Sequence, residues 1–356
     1  MSKQHITLSK SSSLKNKPES STLGFGRFFT DHMFKVSYSA SKGWYDPQVT
    51  PYQSLQLDPG ASVLHYGQAL FEGMKAFRMQ DGHCAMFRPD FNWQRMTEGA
   101  ERLCMQPPPK ELFIEGIKEL VKIDKDWIPS EKGCALYIRP TLIGTEAFLG
   151  VRPAEEYLFF VILSPVGSYY SEGTKPIKIW VEEEYIRAAP GGLGATKAAA
   201  NYATSLRAAQ EAKKNSYSQV LWLDVQREHV EEVGTMNVFF VFDNEVVTPS
   251  LDGTILGGGT RDSVKTLLKS WNIPVTERKV KLEEIREGHK SGRLKEIFGT
   301  GTAAVISPVG ELAAKQWQLV INNNQTGPFA SRLYEELTGI QNGTKPDTFG
   351  WMERVD

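Results

Sequence analysis

The sequence predicts a mixed α/β fold in two domains, and three observations carry that expectation. Apolar strand-like runs such as EYLFFVILSPV and NVFFVF intermix with helix-like stretches in both halves of the chain. At 356 residues the chain is long enough to bury two cores. A Pro/Gly/Ser-rich connection, SPVGSYYSEGTKP, separates the halves.

The elements follow in order. Residues 1–24 are rich in Ser and Lys and have no apolar h-region, which argues against a secretory signal. A transit peptide and a disordered tail are the remaining readings, and the composition favours the tail. A first, smaller α/β domain is expected over 25–167. In it, GMKAFRMQDGHCAMFR places Gln-Asp-Gly-His between two apolar runs, a hairpin signal. Pro89 to Cys104 reads as a helix, with Pro89 near its start and Phe91, Met96 and Leu103 among its apolar positions. Lys110 to Lys125 reads as a second helix. CALYIRPTLIG and EYLFFVILSPV read as strands, the latter buried on both faces. A linker is expected over 168–176 and a larger domain over 177–356. That domain opens on the alternating strand IKIWVEEEYIRAA and continues with a helix over Asn201–Lys214. The strands QVLWLD and NVFFVF come next, then helices over Arg261–Trp271 and Pro328–Leu337. No internal repeat is visible.

Composition narrows the function classes. A net charge of −1 gives no reason to expect nucleic acid or an anionic membrane as partner. The longest strongly apolar run, about Tyr157 to Leu163, is far too short to span a bilayer. The three cysteines (Cys84, Cys104 and Cys134) are dispersed and odd in number, which predicts a reducing, cytoplasmic setting without disulfides. The six histidines form no cluster, so no metal site is expected.

The chemistry concentrates in GGLGATKAAANYATSLRAA and, further on, VEEVGTMNVFFVF. Lys197 sits among small residues that let backbone and a flat ring come close. A lysine that condenses with a carbonyl must be partly neutral, which desolvation beside apolar surface achieves. The same amine can then carry a proton between two carbons of the adduct. Tyr202, near a helix start, suits a hydrogen bond to a ring hydroxyl. Glu232 precedes an apolar strand, and a carboxylate turned inward there needs a cationic partner, which a protonated pyridine nitrogen supplies. Its neighbour Glu231 reads as a solvated turn carboxylate, and Thr235 and Asn237 as turn donors. LGGGTRDS runs straight into a helix, and backbone amides at such a start bind phosphate. It lacks the G-x-x-x-x-G-K-[ST] pattern of a nucleotide P-loop. FGTGTAAVISPV adds a second amide-and-hydroxyl turn, and Arg95 has the paired donors to clamp the same phosphate. Taken singly, each feature has an ordinary explanation as a solvated side chain, core packing or a plain turn; together and in order they read as a pyridoxal 5'-phosphate site.

From about Phe25 onward the chain resembles the branched-chain-amino-acid aminotransferases, fold-type-IV pyridoxal phosphate enzymes of class IV. The carrying segments are FTDHMF, LHYGQALFEGMKAFR, LYIRPTLIGTE, LSPVG, GATKAAANYATSL, QVLWLD, EEVGTMNVFFVF and FGTGTAAVISPVGEL. The resemblance implies a small α/β domain, a larger pseudobarrel domain and a site between them. It places Lys197 on the Schiff-base lysine, Tyr202 on the ring hydroxyl and Glu232 on the pyridine nitrogen. Arg95, Thr260 and Thr302 fall on phosphate contacts, with Gly259 and Thr235 nearby. Phe29, Tyr66, Phe71 and Tyr137 fall on the apolar substrate pocket, Arg139 on the arginine associated with the distal carboxylate of glutamate, and Ala303 on a backbone contact to the α-carboxylate. The implied substrates are L-leucine, L-isoleucine and L-valine with 2-oxo acids, and glutamate or 2-oxoglutarate, in a ping-pong cycle. The implied assembly is a homodimer or larger, with a loop of the neighbouring subunit closing the pocket. Mammalian members carry Cys-x-x-Cys just after the GTA turn. This chain has Ala304 and Ser307 there, so no thiol switch is expected at that place.

Other readings stand beside this one. A D-amino-acid aminotransferase or an aminodeoxychorismate lyase shares the fold, but YIRPTLIGTE and LFEGMKAFR speak against both. A non-catalytic binding protein predicts loss of the lysine or of Glu232, and both are present. A cofactor-free lysine aldolase needs neither the phosphate turns nor Glu232.

Overall fold

The computed structural model describes residues 5–167, 175–243 and 245–355. The chain divides into two compact units. One takes the described residues of 1–169 with 196–200 and 339–356; the other takes those of 170–195 and 201–338. Residues 168–174 of the expected linker lie outside the described residues.

The first unit is built on a nine-stranded sheet. Its path runs Thr7–Leu8, Gly43–Pro51, His32–Ser39, Glu156–Val166, Ala135–Gly144, Met74–Arg78, Cys84–Phe87 and Met352–Arg354, with Ala69–Phe71 paired to Ala135–Gly144. The predicted hairpin is present, with Ala76 opposite Met86. The two predicted helices are Pro89–Arg102 and Lys110–Ile123. The second buries Phe113, Ile117 and Leu120. Phe113 stacks on Phe159 at 5.5 Å, and Phe159 meets Phe34 edge-on at 6.2 Å. Strand Glu156–Val166 alternates between buried and half-buried positions over most of its length and is buried on both faces only at its end. The sheet around it is antiparallel, so one face stays partly open where the sequence suggested full cover.

Two expectations about the chain's course are corrected. The segment read as a disordered tail is, from His5 on, laid along the first sheet. Thr7–Leu8 pairs in parallel with Gln48 and Val49. The Lys15 ammonium donates to the Phe29 and Thr30 carbonyls at 3.1 and 2.6 Å and lies 4.3 Å from the centre of the Tyr52 ring. The Ser11 amide donates to Nε2 of buried His32, whose Nδ1 lies 2.6 Å from Asp124. These anchors are polar and non-local, which composition does not register. Likewise the segment 196–200, expected in the second domain, belongs to the first unit. The Phe71 amide donates to the Lys197 carbonyl at 3.2 Å, and Leu70 bridges Ala198.

The second unit holds another nine-stranded sheet, in the order Val230–Val233, Gln219–Leu223, Ile177–Val181, Val305–Ala314, Leu294–Gly301, Asn237–Phe242, Val246–Thr248 and Val275–Glu277, with Trp317–Val320 on Val305–Ala314. Ile179, Leu221, Val238, Phe240, Ile297 and Leu312 form its core. The strand expected over IKIWVEEEYIRAA stops at Val181, because Glu182 Oε1 accepts from the Glu184 and Tyr185 amides and turns the chain. The helix expected over Asn201–Lys214 is two, Ala199–Thr204 and Leu206–Lys214. At the break, the Thr204 and Ser205 hydroxyls donate to the carbonyls of Asn201 and Tyr202, three residues back in each case. The remaining predicted helices are Gly259–Ser270 and Pro328–Gln341.

Gly116 yields a stability test. A Cβ there would lie 2.5 Å from the Phe34 ring. Glycine to alanine ordinarily gains about 1 kcal/mol in a helix. Gly116→Ala should instead cost about 1–3 kcal/mol through overpacking, read from the urea midpoint. An unchanged or higher midpoint would show that Phe34 yields at no cost.

Candidate active site

In the first unit the site grows from Lys197. The residue precedes helix Ala199–Thr204, held by its own carbonyl bond to Phe71. Its Nζ lies 4.7 Å from the centre of the Phe71 ring. Although Lys197 is only half-buried as a residue, burial of its amine is the largest influence on its pKa. Together with Arg95 and Arg139, and against Glu72 and Tyr137, it lowers that pKa to about 8. A lowered pKa is what a lysine that condenses with a carbonyl requires.

The wall beside it comes from strand Ala135–Gly144. Arg139 lies over Phe71 at 4.7 Å and over Tyr137 at 5.2 Å, and donates to the Tyr137 hydroxyl at 3.1 Å. Its Nε is buried with no hydrogen-bond partner among the described residues. Gly73 makes room for this arrangement, since a Cβ there would meet the Tyr137 hydroxyl. Phe71, Tyr137, Arg139 and Lys197 are thus brought together. Phe29 and Tyr66 sit differently. Phe29 stacks on Tyr52 at 5.3 Å, and Tyr66, exposed on Ser62–Tyr66, donates to the Leu149 carbonyl.

Arg95 brings a residue the sequence reading missed. Its Nε and Nη2 donate to the two oxygens of Glu72 at 2.8 and 2.7 Å, so the paired-donor edge expected to clamp phosphate is occupied by a carboxylate. Glu72 is wholly buried and also accepts from Asn92 at 2.7 Å. Burial, the largest single influence, pushes its carboxyl up, but Arg95, Lys197 and Asn92 together hold it below the usual range. The signal was present, in the one acidic residue of the strand-like run ALFEGMKAF.

In the second unit the site grows from Glu232 on Val230–Val233. It is buried, and its Oε1 accepts from the Leu256 amide at 2.8 Å. Its ion-pair partner within the chain is Arg187, with Nη2 3.0 Å from Oε1. Arg187 also donates to the Gly194 and Thr254 carbonyls. Sequence reasoning missed this arginine, which stands in IRAAPGGLGATK. Glu231, read as solvated, is buried instead, and burial raises its pKa to about 6 against the pull of Thr254 and Arg187.

The predicted phosphate turns meet around Asn237. Its amide donates to the Leu256 carbonyl at 2.8 Å, and a Cβ on Gly258 would collide with its oxygen. Gly258 precedes helix Gly259–Ser270, in which Thr260 is buried. Across the sheet Asn237 pairs with Thr300, whose buried hydroxyl has no partner among the described residues. Two residues further on, Thr302 and Ala303 lie half-buried in the turn before Val305–Ala314. Thr235 is exposed in the turn before Asn237, and Tyr202 is half-buried on Ala199–Thr204. A helix start beside an orphaned hydroxyl is a fitting cradle for an anion.

Comparison with known proteins agrees with this chemistry. The sequence profile of the family described as amino-transferase class IV matches residues 69–312. The chain is 53% identical to branched-chain-amino-acid aminotransferase 2 of Bacillus subtilis (strain 168), over 100% of this chain and 98% of that protein. It is similar to the crystal structure of the Escherichia coli branched-chain amino acid aminotransferase, with TM-score 0.75 and 25% identity, covering 92% of this chain and 99% of that one. It is equally similar, at TM-score 0.75 and 25% identity, to the T.th. branched-chain amino acid aminotransferase complexed with N-(5'-phosphopyridoxyl)-L-glutamate, covering 94% of this chain and 99% of that one.

The amine makes a direct prediction. The neutral form is the nucleophile, so reaction of Lys197 with a carbonyl reagent should rise with pH and be half-maximal near pH 8. Buried Lys75 also has a pKa lowered to about 8, so the modified residue is to be mapped by mass spectrometry. A midpoint near 10.5 at Lys197 would show that its amine is solvated.

Proposed function

The chain belongs to the class IV amino-transferase family and functions as a branched-chain-amino-acid aminotransferase, a fold-type-IV enzyme, and we propose how its residues divide that work. The donors are L-leucine, L-isoleucine and L-valine, the acceptor is 2-oxoglutarate, and the halves of the cycle alternate in ping-pong order. The observation that carries the reading is Lys197, a desolvated amine against Phe71 with Arg139 and Tyr137 beside it.

The cofactor is pyridoxal 5'-phosphate, which when bound supplies a ring that withdraws electrons from the substrate's α-carbon. The orphaned Thr300 hydroxyl near the Gly259 helix start and the buried carboxylate Glu232 fit its phosphate and its ring nitrogen. Lys197, Tyr202, Glu232, Arg95, Thr235, Gly259, Thr260 and Thr302 hold it. Lys197 Nζ would hold the cofactor's carbonyl carbon, the carbonyl oxygen leaving as water, and as a free amine would move a proton from the substrate's α-carbon to the neighbouring carbon. Glu232 would keep the proton on the ring nitrogen, and Arg187 fixes the carboxylate in place. The Tyr202 phenol would donate to the ring hydroxyl oxygen.

Phe71 and Tyr137 would line the apolar pocket for branched side chains, with Phe29 and Tyr66, which sit apart from them, at its outer part. Arg139, aligned by Tyr137, receives the distal carboxylate of glutamate, and the Ala303 backbone receives the α-carboxylate. Phe148, Leu149 and Val151 are exposed, Val151 to 86%, which favours a homodimer or larger assembly covering them. Cys84, Cys104 and Cys134 are free thiols, which suits the cytoplasm. No helix among the described residues is long and apolar enough to cross a membrane.

The visible spectrum of the purified chain tests the assignment. L-leucine should shift the cofactor band and 2-oxoglutarate should restore it. A band that responds to D-alanine and ignores L-leucine would move the activity to a sister enzyme. Lys197→Ala should lower turnover by at least about 10³-fold, and substantial remaining activity would overturn the role of the lysine.

A further inference from the structure

We propose that Glu72 is a positioning residue, which fixes the guanidinium plane of Arg95 for an incoming phosphate and sets a negative charge beside Lys197. The inference rests on the cofactor reading above and adds a residue to it. Its carboxylate bonds Arg95, Asn92 and the Gly73 amide. It acts through its neighbours.

The geometry is that of a built site. Glu72 follows Phe71, whose amide holds the Lys197 carbonyl and whose ring lies 4.7 Å from the Lys197 amine. Its own amide donates to the Pro140 carbonyl at 2.8 Å, which ties it to the strand carrying Arg139. Its carboxylate is 0% exposed. It accepts from Arg95 Nε at 2.8 Å, Arg95 Nη2 at 2.7 Å, Asn92 at 2.7 Å and the Gly73 amide at 3.2 Å. Two parallel bonds to a planar fork fix both its position and its plane.

Stability alone is a weak reason to keep such a pair, because burying both charges costs about what their attraction returns. A buried charge beside a reacting group has a second effect. Burial, Arg95 and Arg139 favour the neutral Lys197 amine, while Glu72 and Tyr137 oppose them. Glu72 therefore offsets the arginine it aligns. Without it, Arg95 would stand uncompensated, and the amine would lose its proton at lower pH.

The test compares the full-length wild type with Glu72→Gln and Glu72→Asp. Each apo chain is titrated with pyridoxal phosphate and, separately, with pyridoxal, which lacks the phosphate. Glu72→Gln should lose at least about tenfold in affinity for pyridoxal phosphate, as expected for loss of charge-assisted bonds, with little change for pyridoxal. The pH midpoint of the Lys197 reaction with pyridoxal should fall below the wild-type value. Glu72→Asp keeps the charge but shortens the reach. Its midpoint should stay near wild type while its pyridoxal phosphate affinity falls, and this readout decides the matter if the glutamine variant does not fold. Equal losses for both ligands, no loss for either, or an unmoved midpoint in Glu72→Gln would overturn the proposal. A wild type that binds neither ligand would instead overturn the cofactor reading itself.

Discussion

A lysine amine under protein is costly to charge, and the first unit is arranged around that cost. Water is withheld from the Lys197 amine, and Arg95 and Arg139 add positive potential beside it. In the proposed function the same arginines serve as anion receptors for substrate and cofactor. Burial and these arginines favour the neutral amine, and the carboxylate of Glu72, bonded to Arg95, opposes them. The amine is therefore tuned by a balance of three charges, and each of the three is held by short hydrogen bonds or by an aromatic face rather than by solvent.

The second unit solves the opposite problem. Glu231 and Glu232 are adjacent and both buried, two anions where water would ordinarily stabilise them. They are treated differently. Glu232 receives Arg187 and a backbone amide, whereas Glu231 stays with its carboxyl pKa raised to about 6. Neighbouring residues of the same type thus sit in distinct environments, one ion-paired to Arg187 and one with its pKa raised by burial.

Much of this was legible in the sequence, for physical reasons. Pro89 marks a helix start because its fixed φ suits the first turn, and the helix begins there. The Gln-Asp-Gly-His turn closes a hairpin because the adjacent apolar runs can pair. Lys197 and Glu232 stood out because charged residues among small or apolar neighbours need a reason to be there. What remained hidden was non-local. Glu72 and Arg187 gain meaning only from partners far along the chain, and Lys15 anchors the N-terminal segment through the Phe29 and Thr30 carbonyls, which any sequence would offer. Glu231 was misread because a turn rich in charge resembles a solvated one until the neighbouring elements cover it.

Gly73 and Tyr137 have a consequence for how such a chain can change over generations. The volume that a side chain at 73 would fill is already held by the phenol of Tyr137, with the hydroxyl and its ring carbon both inside contact distance. A methyl group gained at 73 collides with the phenol, and trimming the hydroxyl alone leaves the ring carbon 2.9 Å away. The two positions are therefore epistatic, and the order of substitution matters. The aromatic ring has to shrink or move before the glycine can be replaced, and that first step also releases the Arg139 guanidinium from its hydroxyl. Drift at the glycine is thus gated by the loss of the Arg139–Tyr137 hydrogen bond, which gives the lineage a ratchet against leaving this arrangement.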